Sequence, residues 1–288
     1  MKIGAMLESF RCESFREGVE AAAKLGVDGI QAYCTEYTTM KYHEMTPAKA
    51  KEYLDIVKSN GLVFSAICGD FFTGFMDEEK NSDIVDKSKR VLEAAKLLEC
   101  DVVTTHIGTL PAEETHSKEV ARKACRELAL FADSMGSSFA VETGPEMATV
   151  LCEFLDSLGA GGVRVNFDPA NLVMVAGDRP ETAVKTLGKY IVHTHAKDGI
   201  KLNDGKKREI VIGGEAKDHD ALLGMGKEYL ELPLGEGDVN FDTYLPALAA
   251  TGFDGFLTIE REVGENPAAD VALAVNFLRE KIAKYNLL

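Results

Sequence analysis

Four short, mostly apolar runs each end in a side chain that can ligate a metal ion. They are Phe139-Ala140-Val141-Glu142, Val163-Arg164-Val165-Asn166-Phe167-Asp168, Ile191-Val192-His193-Thr194-His195 and Phe256-Leu257-Thr258-Ile259-Glu260. Runs of this length and composition fit strands buried on both faces. A carboxylate at the end of such a strand is costly to desolvate unless it is paired or coordinated. A single one would carry little weight, because strand ends often hold a solvated acid. Three carboxylates and one imidazole converging on one place would repel one another, and a cation is the simplest compensation. We therefore expect a metal site at Glu142, Asp168, His195 and Glu260. The donors are hard and oxygen-rich, which suits one divalent ion, Mn²⁺ or Mg²⁺ first, with Co²⁺ or Zn²⁺ as alternatives.

Other residues near strand ends bear on the same site. His193 and His195 have the same parity, so both can face the inside of a closed sheet. His195 is nearer the C-terminal mouth and is the expected ligand; His193 is read as a core histidine of the layer below. His106, in Thr105-His106-Ile107-Gly108, is expected to bond a substrate hydroxyl. Lys197, directly after the His195-Ala196 step, either holds a substrate oxygen or orders the following loop. Cys68, in Cys68-Gly69-Asp70, is expected to line a pocket wall, since the sequence places no dedicated base beside it. His43, His116 and His219 are expected to face solvent, as are Arg261 and Glu262.

The elements that must carry these side chains alternate. The spacing predicts strands over 2–6, 29–33, 63–68, 102–106, 139–142, 163–168, 190–195 and 255–260. Between them it predicts helices over 14–25, 46–60, 82–98, 117–135, 148–158, 180–187 and 241–250, with a last one over 267–282. Strands alternating with amphipathic helices make a parallel sheet. Eight strand–helix units in 288 residues, with no composition break, point to a single (β/α)₈ TIM barrel spanning 1–288. Catalytic groups of such barrels sit at the C-terminal strand ends. The first strand–helix turn lacks G-x-G-x-x-G, so a dinucleotide fold has no support. The connection after strand seven, 197–239, is long and rich in Gly, Lys, Asp and Glu. It lies on the catalytic face, as a lid or substrate-shaping insert, or else as a mobile excursion.

Composition narrows the partners. Lys and Arg total 32 against 47 Asp and Glu, a formal charge of −15. That field repels nucleic-acid backbones and anionic membranes, although a metal and a few local cations leave room for a phosphorylated small substrate. The six cysteines are scattered, with no C-x-x-C pair, and read as reduced thiols of a cytoplasmic protein. Neither a signal peptide nor an apolar run near ~20 residues is evident.

Together these residues resemble the sugar phosphate isomerase/epimerase superfamily of xylose isomerase-like TIM barrels. The resemblance rests on strand-end Glu142, on Asp168-Pro169-Ala170-Asn171 and on His195-Ala196-Lys197-Asp198. It continues through Gly235-Glu236-Gly237-Asp238-Val239-Asn240-Phe241, Gly252-Phe253-Asp254-Gly255 and Ile259-Glu260, and so covers essentially the whole chain. It puts the usual metal ligands of the family on Glu142, Asp168, His195 and Glu260. The chain also departs from the pattern. Asn171 stands where many members place a histidine, and it joins His106, Lys197 and Cys68 as an expected substrate-binding residue. Ala148 and Lys201 stand where ketohexose 3-epimerases carry a glutamate and an arginine. Cys68, Asn171 and the acidic charge argue against a DNA-repair AP endonuclease.

The resemblance implies isomerisation or epimerisation of a sugar or sugar derivative through an enediolate, with Glu142 and Glu260 as acid and base. Inosose-type dehydration by the same site is the alternative, and a non-catalytic sugar-binding barrel is a third reading. The expected partner is a small carbohydrate-like substrate. A homo-oligomer is a family expectation.

Overall fold

Several helices in this chain begin where the residue before them can accept an otherwise unpaired backbone N–H. Ser14 and Glu17 form a reciprocal capping box ahead of α1 (Phe15–Leu25). Thr46 caps α2 (Pro47–Ser59), with proline at its first position. Asp77 caps α3 (Glu78–Leu97) and Thr115 caps α4 (His116–Met135). The Asp77 cap explains why α3 starts four residues before the expected 82, since the polar run Glu78-Glu79-Lys80-Asn81 hides the periodicity there.

The structure is a computed structural model that describes residues 1–212 and 215–287. Seven strands come first: β1 (Lys2–Met6), β2 (Gly29–Tyr33), β3 (Val63–Cys68), β4 (Val102–Thr105), β5 (Ser138–Glu142), β6 (Val163–Phe167) and β7 (Ile191–Ala196). Four short strands follow: β8 (Asp198–Lys201), β9 (Ile210–Ile212), β10 (Glu215–Lys217) and β11 (Tyr229–Leu232). The last is β12 (Phe256–Ile259). The first seven and β12 close into a parallel barrel in the order β1-β12-β7-β6-β5-β4-β3-β2. Helices α5 (Ala148–Ser157), α6 (Pro169–Asn171), α7 (Pro180–Leu187), α8 (His219–Gly224), α9 (Phe241–Ala249) and α10 (Pro267–Tyr285) complete the chain. The expected (β/α)₈ barrel is thus the architecture found. Strand β4 stops at Thr105, so His106 stands just beyond it.

The main core lies between the barrel and its helices and includes Phe139, Phe154, Phe167 and Tyr244, all fully buried. The inside of the barrel is more polar. Gln31, Ser65, Thr104, Asn166, His193 and Thr258 are all buried there, and their hydrogen bonds to one another offset the cost of burying them. No helix among the described residues is long and apolar enough to cross a membrane.

The 197–239 connection is built rather than irregular. Strands β8 and β11 pair antiparallel, as do β9 and β10. Ile200, Leu202, Ile210, Leu230 and Leu232 form a small core of their own. The two ends of the insert are tied by one carboxylate. Asp198 accepts backbone N–H groups from Gly199, Gly235, Gly237 and Val239 at 2.8, 2.9, 3.0 and 3.1 Å. A Cβ at Gly237 would lie 2.1 Å from Asp198 Oδ1, so only glycine allows this approach. His219, expected at the surface, is buried in the insert and its Nε2 donates to the Leu202 carbonyl at 3.1 Å. Its position at a helix start gave no sign of the hairpins that cover it.

Hydrogen bonds to a charged acceptor contribute about 1.5–3 kcal/mol each, and only part of that is lost where water can replace the acceptor. Replacing Asp198 with alanine is therefore expected to lower unfolding stability by about 2–3 kcal/mol. It should also speed proteolytic nicking between residues 199 and 239. Unchanged cleavage kinetics would show that Asp198 does not hold the insert.

Candidate metal centre

Strands β12, β7, β6 and β5 are neighbours in the barrel, and their C-terminal ends present Glu260, His195, Asp168 and Glu142 side by side. One ligand atom from each lies within 4.8 Å of all the others. Twice a metal–oxygen distance of about 2.1–2.4 Å is roughly 4–5 Å, the span of one ion's coordination shell. All four residues are buried.

Each ligand is held by its other polar atoms. Asp168 Oδ1 accepts the N–H groups of Ala170 and Asn171 at 2.8 and 2.9 Å, so it caps α6 and turns Oδ2 to the centre. Asn166 Nδ2 donates to Glu142 Oε2 at 3.0 Å and Asn171 Nδ2 to Glu142 Oε1 at 2.9 Å. Gly144 makes room for the second contact, because a Cβ there would lie 2.2 Å from Asn171 Cβ. Lys197 Nζ reaches Glu260 Oε2 at 2.7 Å and also bonds Glu262.

The barrel interior fixes which imidazole nitrogen faces the cluster. Thr258 pairs with His193 Nε2 at 2.9 Å, and His193 Nδ1 with Asn166 Oδ1 at 2.9 Å. Asn166 therefore turns its amide nitrogen to Glu142. His195 Nε2 lies 3.1 Å from Gln31 Oε1 and 3.2 Å from Asn166 Nδ2, so it is the nitrogen turned to the barrel interior, and a proton on it satisfies Gln31. The lone pair of Nδ1 is left facing Glu260, Glu142 and Asp168 at 3.3, 3.5 and 3.5 Å. Neither His195 Nδ1 nor Asp168 Oδ2 has a hydrogen-bond partner. Two orphaned, buried acceptors beside two more carboxylates fit a cation.

The charges tell the same story. Burial opposes a charged His195, but Glu260 and Glu142 outweigh it and hold its pKa well above the ordinary value. Burial likewise opposes ionising Glu142, and His195 and His106 bring it well below the usual carboxylate range. The cluster demands positive charge at its centre, which in the protein alone comes from a proton on His195 beside the Lys197 ammonium at Glu260.

A cavity of about 340 Å³ opens over the cluster and is lined by Cys68, His106, Asn171 and Lys197, all four expected substrate-binding positions. His106 Nδ1 bonds Asp70 Oδ2 at 2.7 Å, and its Nε2 lies 3.5 Å from Glu142 Oε1. The charge of Glu142, reinforced by Asp70 against the cost of burial, raises His106 to about 11. Burial pushes the Cys68 thiol up, in keeping with a wall residue. Two expectations are corrected. Arg261 is buried, not solvated: it pairs with Glu231 of the insert at 2.6 Å and with Asp270 at 2.8 Å. Glu262 is exposed along its side chain, yet its carboxylate is bound to Lys197.

A family model described as xylose isomerase-like TIM barrel matches residues 19–281. The chain belongs to this family. Solved members of similar fold include a xylose isomerase domain protein from Planctomyces limnophilus, with TM-score 0.79 and 23% identity over 100% of this chain and 98% of that one. A D-tagatose 3-epimerase-like protein has TM-score 0.74 and 19% identity, covering 99% and 98% of the two chains. A xylose isomerase-like TIM barrel protein from Mycobacterium smegmatis, in complex with magnesium, has TM-score 0.74 and 15% identity, covering 99% and 97%.

In this xylose isomerase-like barrel several supporting residues were not singled out from sequence. Gln31 and Asn166 could have been found as polar residues inside otherwise apolar strands. Asp70 is visible only once β3 and β4 lie side by side. Glu146, in the β5–α5 connection, gave no signal. It is buried, and its Oε2 accepts the Leu110 N–H at 3.2 Å.

Burial raises Glu146 to about 7, against the opposing pull of that N–H and of His106. Its folded pKa lies above the unfolded value, so its contribution to stability is full below about pH 4.3 and is lost as pH rises through 7. Between pH 4.5 and 8 the stability of the native chain should fall by about 2–3 kcal/mol relative to Glu146→Gln. Denaturant unfolding of both at each pH measures this, and parallel pH profiles would rule the shift out.

Proposed function

We propose that the chain is a metal-dependent isomerase or epimerase of a neutral keto- or aldo-sugar, acting through an enediolate. The observation that carries this reading is the pair of glutamates, Glu142 and Glu260, facing each other across orphaned Asp168 Oδ2 and His195 Nδ1. Glu142, Asp168, His195 and Glu260 are the residues that would hold a divalent cation. Their chemistry favours Mg²⁺ or Mn²⁺, and the magnesium of the M. smegmatis barrel is in keeping with that choice. A bound cation supplies Lewis acidity toward a carbonyl oxygen and so acidifies the adjacent C–H.

The rest is done by the chain's own groups. Glu142 is oriented by Asn166 and Asn171, and Glu260 by Lys197. One carboxylate removes the proton beside the carbonyl; the other returns a proton to the opposite face or to the neighbouring carbon. His106, braced by Asp70, donates to a substrate oxygen.

The basic side chains around the cavity favour an uncharged substrate. Among the described residues lining it, His106 is paired with Asp70, Lys197 with Glu260 and Glu262, and His195 faces three carboxylates. None is left over to bind a phosphate. The second reading, loss of water from a β-hydroxy ketone, draws on His106, whose Nε2 is directed into the site and could protonate a departing hydroxyl.

Proton NMR of keto-sugars and inososes in D₂O with the Mn²⁺-loaded chain separates the readings. Deuterium beside the carbonyl with an isomeric product is expected; deuterium with loss of water would favour the dehydratase. Glu142→Gln and Glu260→Gln should each lower exchange by about 10²–10⁴-fold. His195→Ala should lose stoichiometric metal, and a variant that retained it would refute the proposed ligand set.

A further inference from the structure

A second cavity, of about 720 Å³, adjoins the one over the metal centre. The two share Tyr33, Asp70, Phe72 and Thr73, so they are neighbours along these side chains. Ligand pockets commonly occupy about 300–1,000 Å³, so the inner cavity alone suits one small substrate. The outer one is larger than a single sugar at the metal centre requires.

The outer cavity carries an unusual aromatic display. Phe72 is 81% exposed and has φ 55°. Left-handed backbone at a bulky residue is strained and persists only where the surroundings enforce it. Here Asp70 enforces it. Its Oδ1 accepts the Phe72 N–H at 2.8 Å, while its Oδ2 holds His106 at 2.7 Å. One carboxylate thus fixes both a wall of the inner site and the ring at its rim. The Phe72 ring stacks on Tyr33, with centroids 6.1 Å apart and planes 20° apart. Tyr37, 95% exposed, lines the same cavity, alongside Thr35, Thr73 and Glu36.

Aromatic faces bordered by hydroxyls and carboxylates complement a ring with an apolar C–H face and a hydroxyl-bearing edge. The cations here are already paired: Lys87 with Glu36 and Asp83, and Lys80 with Asp77. A phosphate or nucleotide therefore finds no free charge. The exposed Phe72 borders both cavities, so the group best placed to reach this surface is one attached to the substrate bound in the inner cavity.

We propose that Tyr33, Phe72 and Tyr37 form a subsite for a second sugar ring joined to the reacting one, so that the substrate is a disaccharide whose reacting ring keeps a carbonyl. This rests on the sugar reading above and narrows its substrate class. The test compares dissociation constants of methyl β-D-glucoside, cellobiose and maltose for the Mn²⁺-loaded chain by calorimetry and saturation-transfer NMR. At least one disaccharide should bind tenfold or more tightly than the monosaccharide glycoside, with saturation transfer to both rings. Phe72→Gly removes the ring and relieves the backbone at once, so the turn is not lost with it. That variant and Tyr37→Ser should bring the ratio to near one. Equal affinities in the native chain, or a ratio that survives both substitutions, would overturn the subsite and leave the sugar reading intact. Binding of none of the probes would overturn the subsite, while the sugar reading stands or falls with the D₂O exchange. A native dimer that becomes a monomer in Phe72→Gly, by light scattering, would overturn the subsite and assign the platform to contact between copies.

Discussion

Three buried carboxylates that repel one another, gathered round one imidazole, organise this barrel. Glu142, Asp168 and Glu260 bring negative charge to the mouth, and His195 adds a lone pair aimed at the same point. Such an arrangement is stable only if something positive occupies it and if each group is prevented from turning away. The surrounding structure meets the second condition with the α6 cap at Asp168, two asparagines at Glu142, a lysine at Glu260 and a glutamine at His195. Much of the polar interior of the barrel serves this purpose, down to Thr258 through His193 and Asn166.

The ligands were legible in the sequence because each closes a strand, where alternation and an apolar run announce both the element and its end. Strands β2 and β3 and helix α7 fall on the expected bounds for the same reason. What supports the ligands was less visible. Gln31 meets His195 only because the barrel closes, which brings residues 164 positions apart in sequence together. Asp70 meets His106 across neighbouring strand ends. Arg261 follows Glu260 and read as solvated, since its burial depends on Glu231, which the insert brings from elsewhere. Local pattern fixes elements and their ends; closure and insertion decide which polar side chains are covered.

Ion pairing links the insert to the centre as well as to the barrel. Glu231 lies 3.9 Å from Lys197 and bonds Arg261, while Lys197 bonds Glu260. Buried pairs of this kind contribute little net stability compared with apolar packing, yet breaking one leaves an uncompensated charge. Their effect here is positional. The carboxylate of Glu260 is held by an ammonium that is itself confined between the insert and the loop after β12.

The tie at Asp198 also has a consequence for how this architecture can diversify. Residues 198 and 235–239 are stitched together at the base, and the β8–β11 pair is anchored to the barrel side through Lys201 and Glu231. The chain beyond the β8–β11 pair leaves and returns at nearly the same place, and the entropy of closing such an excursion grows only slowly with its length. Its outer part can lengthen, shrink or be exchanged between relatives with little penalty to the barrel. That outer part is then a replaceable piece of the fold, free to vary while the ligands at the strand ends stay fixed.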